Sequence, residues 1–598
     1  MFPRRQHRNL LLLIVSFPLF FGRANLSPPS QAFTPLKICE LQGYSFSSPY
    51  TGQSVRAYGV VFADLDDTSR RGFYIQHENC DHSANTSDGI FVYLGERTDV
   101  VSVGDLAQVD GVVEEYYGRT EIVAAPQNVL VLSHNHPLPA PQELTPPFAD
   151  NSARYYFETL EGMHVQLSSG RVIGPTDSDD RTWLARLDSG VERVFPDDPL
   201  GNGEVICVDD NGLYEIAPEA TVGDTITSFT GVVDYRLGIY CVELLSPPQV
   251  ITGTGPASQT LVSPPVLTIA TFNLANLFDT LDDPTTEDQV LTHAEYQRRL
   301  YKRALTIHEA LGEPTLIAVQ EVENQEVLRA LIEDPDVIRA DYGFIWQNSP
   351  DARGLDVALL YRTDQVLILG YQARQGCTSL VDGLGPDGNG DPVNPQNALT
   401  CDLNQDGILD GNRLFSRPPI VAHVRADIPS SSDQQRIEID LWLIVNHWKS
   451  KVEDTPFVQY TLPRRIEQAL FVAGLVEEIN AAYPNPNLLI LGDLNDLPDS
   501  QPIAELLHLG LENLTWRTPR PYRYSYIYQG VSQVMDYAFW LPKTDLIPLE
   551  IVPIHINADF PYALTSDGTT LHRSSDHDPL LLNLVSIPHR IYLPLTVR

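Results

Sequence analysis

From Val266 towards the C-terminus, short apolar runs alternate with longer segments of helical period, and that alternation leaves few folds open. The runs are VLTIATFNLANLF, LIAVQEVEN, VALLYR, PIVAHVRA, IDLWLIVNHWKS, LLILGDLND, VMDYAFWL and LLLNLV. Between them lie YQRRLYKRALTIHEAL, VLRALIE and RRIEQALFVAGLVEEIN, with helical patterning. A run such as LLIL, bounded by Gly492, is too short for an amphipathic helix and reads as a buried strand. Strands of this kind interleaved with helices pack as layers, so residues 266–588 are expected to form an α/β layered domain.

The polar residues that end these runs carry the chemistry. Asn273 closes TIATFN, Glu321 closes LIAVQE, His447 closes LWLIVNH, and Asp493 with Asn495 closes LLILGD. Polar sites at the same end of several buried strands converge on one crevice, where open α/β sheets place their ligands. Asp536 in VMDYAF and the Ser575-Asp576-His577-Asp578 run before LLLNL add two more. Any one of them alone is explained by a turn or a satisfied polar group, because Asn and Asp favour turns for local hydrogen-bonding reasons. Together they suit metal-assisted phosphodiester hydrolysis: oxygen ligands for a hard divalent cation, amide and imidazole donors for phosphate oxygens, and Asp–His pairs that hold imidazole tautomers. No Ser or Cys has comparable strand-end placement for a nucleophilic role.

The N-terminal half reads differently. From Leu36 to Leu132, β-type runs are separated by turn residues, which suggests a small antiparallel barrel or sandwich over residues 36–140. After the Pro-rich connector at 137–147, residues 150–250 read as a second copy. Val103-Gly104-Asp105 leading to Gly111-Val112-Val113 recurs as Val222-Gly223-Asp224 leading to Gly231-Val232-Val233. Such barrels often bind oligonucleotides or sugars, but a spacer or folding role is equally open. The linker TGTGPASQTLVSPP at 252–265 ends this half.

Residues 1–32 carry Arg4, Arg5 and Arg8, an apolar run from Leu10 to Phe21, and small residues near Ala24 and Ala32. That run is too short to span a bilayer, so a secretory signal peptide is expected, with an uncleaved N-terminal anchor as the alternative, and no later run has membrane length. Export to an oxidising compartment makes disulfides the expected state of the six cysteines. The simplest scheme pairs neighbours inside each proposed domain: Cys39 with Cys80, Cys207 with Cys241, Cys377 with Cys401. No Cys-x-x-Cys spacing occurs, which argues against structural zinc. A net charge of -38 repels polyanions at long range, so binding nucleic acid requires divalent cations or a locally basic groove. Solubility outside the cell is the simpler origin of that surplus. The tail at 589–598 is too short for a domain.

The motifs LANLFD, VQEVEN, NHWKSK, LGDLND, MDYAF and SSDHDP resemble those of the endonuclease/exonuclease/phosphatase superfamily, related to pancreatic deoxyribonuclease and the abasic-site endonucleases. YSYIYQG at 524–530, HINAD at 555–559 and RSSDHDP at 573–579 resemble its bacterial extracellular nuclease branch, in which similar small β domains precede the nuclease. The resemblance implies a four-layered α/β sandwich, two packed sheets flanked by helices, preceded by two OB-like β barrels. It implies Glu321 as principal metal ligand, assisted by Asn273 and Asp576, and His577 as the group that activates water or stabilises charge on phosphorus, oriented by Asp536. Asp493 and Asn495 would position water and the scissile phosphate or hold a second metal, and His447 would contact a non-bridging oxygen. Lys449 and Lys451 are candidate backbone contacts. Arg417 in FSRPP matches a phosphate-contacting arginine, although Pro replaces the usual acidic neighbour. Asp356 and Tyr361 resemble a family strand near the site.

The insertion at 377–412 contains Asp402-x-Asn404-x-Asp406-Gly407-x-x-Asp410, the ligand spacing of a calcium loop, with Arg413 where an EF-hand places a bidentate Glu. A solvated loop pinned by Cys377 and Cys401 is the alternative. The sequence therefore points to a secreted, monomeric nuclease dependent on Mg2+ or Mn2+ and acting on DNA, with RNA as a second substrate and Ca2+ as a candidate structural ion. A phosphodiesterase or phosphatase on lipid head groups or nucleotides, and a surface binding protein with a vestigial enzyme domain, are the rival readings.

Overall fold

The computed structural model describes residues 33–586 apart from 79, 210–218, 237, 254, 256–266, 335–336, 381–398, 430–435, 456–457 and 543–545. The expected signal segment at 1–32, most of the linker at 252–265 and the tail at 589–598 lie outside the described residues.

In the first β unit the strands Ser54–Leu65, Gly72–Gln76, Gly89–Tyr93, Arg119–Val123 and Leu106–Tyr116 pair in that order, and the last pairs back to the first. The ring is antiparallel except where Gly89–Tyr93 meets Arg119–Val123. Closure leaves no free edge in the ring, and alternate residues such as Val55, Ala57, Phe73, Ile75, Val109 and Ile122 fill its interior.

The second unit repeats this succession. Gly170–Gly174, Arg181–Arg186, Ile206–Asp209, Ile239–Leu244, Phe229–Arg236 and His164–Leu167 pair in order, again with a parallel step, here between Ile206–Asp209 and Ile239–Leu244. The first strand of the ring is split into the two pieces 164–167 and 170–174. The Val-Gly-Asp repeat is thus accompanied by a common strand order. Disulfides join Cys39 to Cys80, Cys207 to Cys241 and Cys377 to Cys401.

The third unit contains two six-stranded sheets. One runs Tyr342–Trp346, Asp356–Arg362, Leu316–Val322, Leu267–Leu277, Leu580–Ser586, Leu546–Pro553, and the other Val366–Ala373, Ile420–Pro429, Arg436–His447, Leu488–Asp493, Asp536–Trp540, Glu512–Asn513. Side chains of a strand alternate between faces, and this alternation divides the apolar residues among separate cores. Leu267 and Ile269, with Leu316 and Ala318, meet Leu441, Leu443, Leu489 and Leu491 between the sheets. Ala270, Phe272, Ile317 and Val319 pack outward against Leu300 and Ala304 of the helix His293–Leu305 and Val327 and Leu331 of Gln325–Ile332. Ile444, Leu488 and Ile490 pack outward against the helices Leu462–Ala482 and Gln501–His508. Burial of apolar area at ~25 cal/mol per Å² on three parallel interfaces is what holds the sheets in register with their helices.

Each barrel is tied to the next unit of the chain. Arg70 and Arg119 of the first barrel share Asp234 of the second, and Arg70 also pairs with Glu243. The second barrel meets the third unit through backbone: Ser532 N–H donates to Val194 O at 2.8 Å and Tyr562 N–H to Thr176 O at 2.8 Å. At this junction a Cβ on Gly174 would stand 2.8 Å from Gly530 Cα, so both positions are closed to larger residues.

Candidate active site

The register of the second sheet assembles the centre of the site. Leu489 and Leu491 face the space between the sheets, so Asp493, two residues on, faces the same way. His447 is its partner on the parallel strand and Asp536 its partner on the antiparallel one. Gly492 permits this close approach: it has φ 131°, and a Cβ there would lie 2.0 Å from Asn446 O.

The first sheet supplies Asn273 and Glu321 by different means. Asn273 lies in step with Leu267 and Ile269, and its Nδ2 donates to Asp493 Oδ2 at 3.1 Å. Glu321 is out of step, because the preceding Gln320 occupies the phase of Leu316 and Ala318. A bulge resolves the conflict: Gln320 pairs with Val357 and Val322 with Asp356, leaving Glu321 as the extra residue with φ 61°. Bulges of this kind re-aim side chains at active sites. Its Oε1 comes within 3.7 Å of His447 Nε2, and its Oε2 accepts from Asn276 N–H at 2.8 Å. Ala275, Asn276 and Asn495 also have positive φ, a clustering of backbone strain expected where structure over-determines a functional geometry.

His577 completes the centre from the loop before the strand Leu580–Ser586. Its Nδ1 donates to Asp536 Oδ2 at 2.7 Å, and its Nε2 stands 3.9 Å from Asp493 Oδ2. Burial alone would push this imidazole down, but Asp536 and Asp493 outweigh it and hold His577 well above its ordinary value. Burial keeps the Asp493 carboxyl above the usual carboxylate range, with Asp536 and Glu321 adding to the effect and His577 opposing it. His447 is pushed well below its ordinary value by burial and by Arg417 and Arg353. One imidazole is thus held cationic and the other neutral.

The remaining expected residues fall around this centre. Asn495 N–H donates to Asp493 Oδ1 at 2.9 Å and its Nδ2 to Trp448 O at 3.2 Å. Asp576 is half-buried beside Ser575, whose Oγ donates to Asn273 O at 2.7 Å. Arg417 is buried with Nη1 3.5 Å from Asp351 Oδ2, and Arg353 donates to Asn276 Oδ1 at 3.3 Å. Asp351 thus supplies the acidic partner that Pro418 does not. Lys449 Nζ is engaged by Glu453 Oε1 at 2.6 Å. Asp356 accepts from Trp346 Nε1 at 2.7 Å and Ser349 N–H at 2.9 Å, a structural use of that carboxylate. Tyr361 is half-buried and packs against the inter-sheet core. In the insertion, Asp402 Oδ2 accepts from Gly407 N–H at 2.6 Å, Asp406 Oδ1 from Ile408 N–H at 2.9 Å and Asp410 Oδ1 from Leu403 N–H at 2.8 Å, while Asn404 Oδ1 accepts from Asp406 N–H at 3.0 Å.

Further contributors lie in the YSYIYQG, HINAD and RSSDHDP motifs, where the sequence assigns them no individual role. Tyr526 packs its ring 4.8 Å from His577. Asn557 Nδ2 donates to His577 O at 2.7 Å while its Oδ1 accepts from Ser575 N–H at 3.2 Å. Asp578 Oδ1 accepts from the N–H groups of Ile556, Asn557 and Ala558, and its Oδ2 from His555 Nδ1 at 2.8 Å.

Ligand atoms of Asp493, Asp536 and His577 lie within 4.8 Å of one another, a group that does not include Glu321 or Asp576, and Asp536 Oδ1 is buried without a hydrogen-bond partner among the described residues, so oxygens suited to a hard divalent cation are present.

Residues 142–252 match a domain of unknown function, DUF8508. No curated protein matches the chain. Solved structures similar to it include a Bacteroides vulgatus endonuclease/exonuclease/phosphatase (16% identity, covering 54% of this chain and 99% of that one, TM-score 0.32). Others are the Bacteroides thetaiotaomicron mannosyl-6-phosphatase (16%, 53% and 99%, 0.32) and D. rerio TDP2 complexed with a single-strand DNA product (15%, 54% and 99%, 0.33). Residues 268–378 and 433–516, which include Asn273, Glu321, His447, Asp493 and Asn495, match the Endonuclease/Exonuclease/phosphatase family.

Proposed function

We propose that the protein is a secreted, divalent-metal-dependent nuclease that cleaves phosphodiester bonds of DNA, and of RNA, by direct attack of water on phosphorus. The observation that carries this reading is the convergence of Asn273, Glu321, Asp493, Asp536 and His577 from both sheets on one buried cluster. Asp536 accepts from His577 Nδ1–H and stabilises its imidazolium, which presents Nε2–H to a phosphate oxygen and offsets charge as it grows on phosphorus. Asp493, with Asn273 donating to it and Asn495 beside it, accepts the proton of the attacking water as the new P–O bond forms and the ester P–O bond breaks, the leaving alkoxide taking its proton from solvent. Neutral His447 hydrogen-bonds a second non-bridging oxygen. Glu321, Asn273 and Asp576 would hold Mg2+ or Mn2+, which supplies Lewis-acid polarisation of the phosphate.

The same reading takes the third unit as a four-layered α/β sandwich, the two rings as OB-like barrels and residues 1–32 as a secretory signal. A structural calcium on Asp402, Asn404, Asp406 and Asp410 belongs to it as well; calorimetric uptake that Asp406→Ala abolishes supports it, and no uptake removes it. The deciding assay incubates purified protein with circular plasmid, linear DNA and RNA, with and without Mg2+, Mn2+ and Ca2+. Opening of the plasmid by wild type but not by Glu321→Ala or His577→Ala is expected. Intact nucleic acid alongside hydrolysis of a sugar phosphate or a lipid head group overturns the reading.

A further inference from the structure

Beside the site a cleft of about 830 Å³ opens between the second barrel and the catalytic domain. Arg181 and Trp183 of the barrel line one wall, and Arg298 and Arg299 of the helix His293–Leu305 line another. The hairpin of Tyr526–Tyr528 and Val531–Gln533 reaches the cleft, which runs on to Ser575 and Asp576. The volume lies toward the upper end of what small-molecule sites occupy, and the cleft is continuous with the catalytic residues rather than closed on itself.

Its charges are the informative part. In a chain of net charge -38, arginines readily find carboxylates. Arg181 has Asp179 at 3.2 Å, and Arg299 has Glu295 at 2.6 Å. Arg298 and Arg573 differ. Among the described residues, Arg298 Nε is buried without a hydrogen-bond partner, and Arg573 gives Nη1 only to a neutral carbonyl, Asn557 O at 3.0 Å. Arg573 also takes φ 57°, a left-handed conformation uncommon for a non-glycine residue, and its side chain lines the cleft. Both side chains line the cleft, where an anionic ligand can meet their remaining guanidinium N–H groups. Aromatic faces lie alongside: Tyr526 packs on His577 and Tyr528 is 53% exposed.

Unpaired guanidinium groups interleaved with aromatic rings along one groove are the combination that holds single-stranded nucleic acid, phosphates on the cations and bases on the rings. We propose that this cleft binds the single-stranded stretch adjoining the scissile phosphate, with Arg298 and Arg573 on successive phosphates and Tyr528 under a base. The second barrel then acts as a wall of the substrate site, which gives the domain matched at residues 142–252 a role. The proposal rests on the nuclease reading above.

The test measures binding of a fluorescent 12-nucleotide DNA strand to full-length protein carrying His577→Ala, in Mg2+, across a salt series. Adding Arg298→Ala or Arg573→Ala is expected to weaken binding at least fivefold and to reduce the salt slope by about 0.7 per lost phosphate contact. Tyr528→Ala is expected to weaken binding at least fivefold with the slope unchanged. Arg425→Ala, at an exposed pair with Asp440, serves as the charge control and is expected to bind as the parent does. Thermal melting of each variant separates lost contacts from lost fold. Parent-like affinity and slope in Arg298→Ala and Arg573→Ala overturn the cleft assignment; if wild type still opens plasmid, the nuclease reading stands without it. If wild type cleaves no nucleic acid but the variants lose binding, the nuclease reading falls and the cleft stands as a nucleic-acid site.

Discussion

Asp493 and Asp536 stand directly opposite each other on neighbouring antiparallel strands, both buried, and one imidazole, that of His577, reaches them both. Two carboxylates so placed in a low-dielectric interior repel each other unless a proton or a cation lies between them. The fold supplies His577 as one such cation and leaves oxygens over for a metal.

Replacing Asp536 by Asn keeps the volume and removes the charge that holds His577 protonated. We expect Asp536→Asn to lower kcat by about 10² to 10⁴ with little change in KM. The pH profile gives the sign. The Asp536 and Asp493 carboxylates raise His577, so activity that needs the imidazolium persists as pH rises through neutrality and is lost above the raised value. In the variant that loss moves down toward about 6.5, the ordinary value for His. An unmoved alkaline limb would show that His577 acts in its neutral form.

Glu321 is aimed into the site by a bulge, and its Oε2 is already engaged by Asn276 N–H, which leaves Oε1 for a ligand. Glu321→Gln retains the hydrogen bond and removes the charge. The Mg2+ concentration giving half-maximal activity is expected to rise at least tenfold, with partial recovery at high Mg2+, as read from metal titrations of plasmid nicking. A loss of activity that added metal never restores would assign Glu321 another role.

The distance between sequence and site can be stated in residues. Asn273, His447, Asp493 and Asp536 were legible because strand alternation carries them into the inter-sheet space in phase with the apolar residues of their own strands. Glu321 was legible as a strand end, but its direction was not: period-two alternation places it on the opposite face, and only the bulge at φ 61° corrects that. The closed ring of the first β unit arises from a pairing between strands far apart in the chain, Ser54–Leu65 with Leu106–Tyr116, which turn spacing does not specify. Lys449 adds a contact that its basic motif does not announce, because Glu453, four residues on, pairs with its ammonium at 2.6 Å.

Asp356, paired with Val322 on the strand beside Glu321, gives a pH test of stability. Burial raises its carboxyl to about 7, against the hydrogen bonds from Ser349 and Trp346. A carboxyl raised on folding binds more protons in the folded state between its unfolded value near 4 and about 7. Its contribution is therefore fully present below pH 4 and is lost as pH rises through 7. Asp356→Asn removes this titration, so the variant should gain on wild type between pH 5 and 8 by on the order of a few kcal/mol, measured by urea unfolding in EDTA. A constant difference across that range would place the group at an ordinary value.

Arg193 carries the final prediction because it is a charge of the second barrel spent inside another domain. Its Nη2 donates to Asp559 Oδ1 at 3.0 Å, its Nη1 donates to Ser532 Oγ at 2.9 Å, and its guanidinium lies 3.9 Å over the Tyr524 ring. Tyr524 donates to Asp559 Oδ2 at 2.5 Å and stacks at 4.0 Å on His555, which bonds to Asp578, next in sequence to His577. Removing one member of a buried pair strands the other charge, so Arg193→Met should destabilise the protein by about 3–5 kcal/mol, and Arg193→Met with Asp559→Asn by less. Because the chain of contacts ends at His577, the single variant should also lower kcat more than it raises KM. Limited proteolysis provides the independent reading: if the barrel docks through this pair, cleavage between residues 252 and 266 should release it faster from Arg193→Met than from wild type, and equal rates would show that the backbone bonds at Ser532 and Tyr562 hold the junction without it.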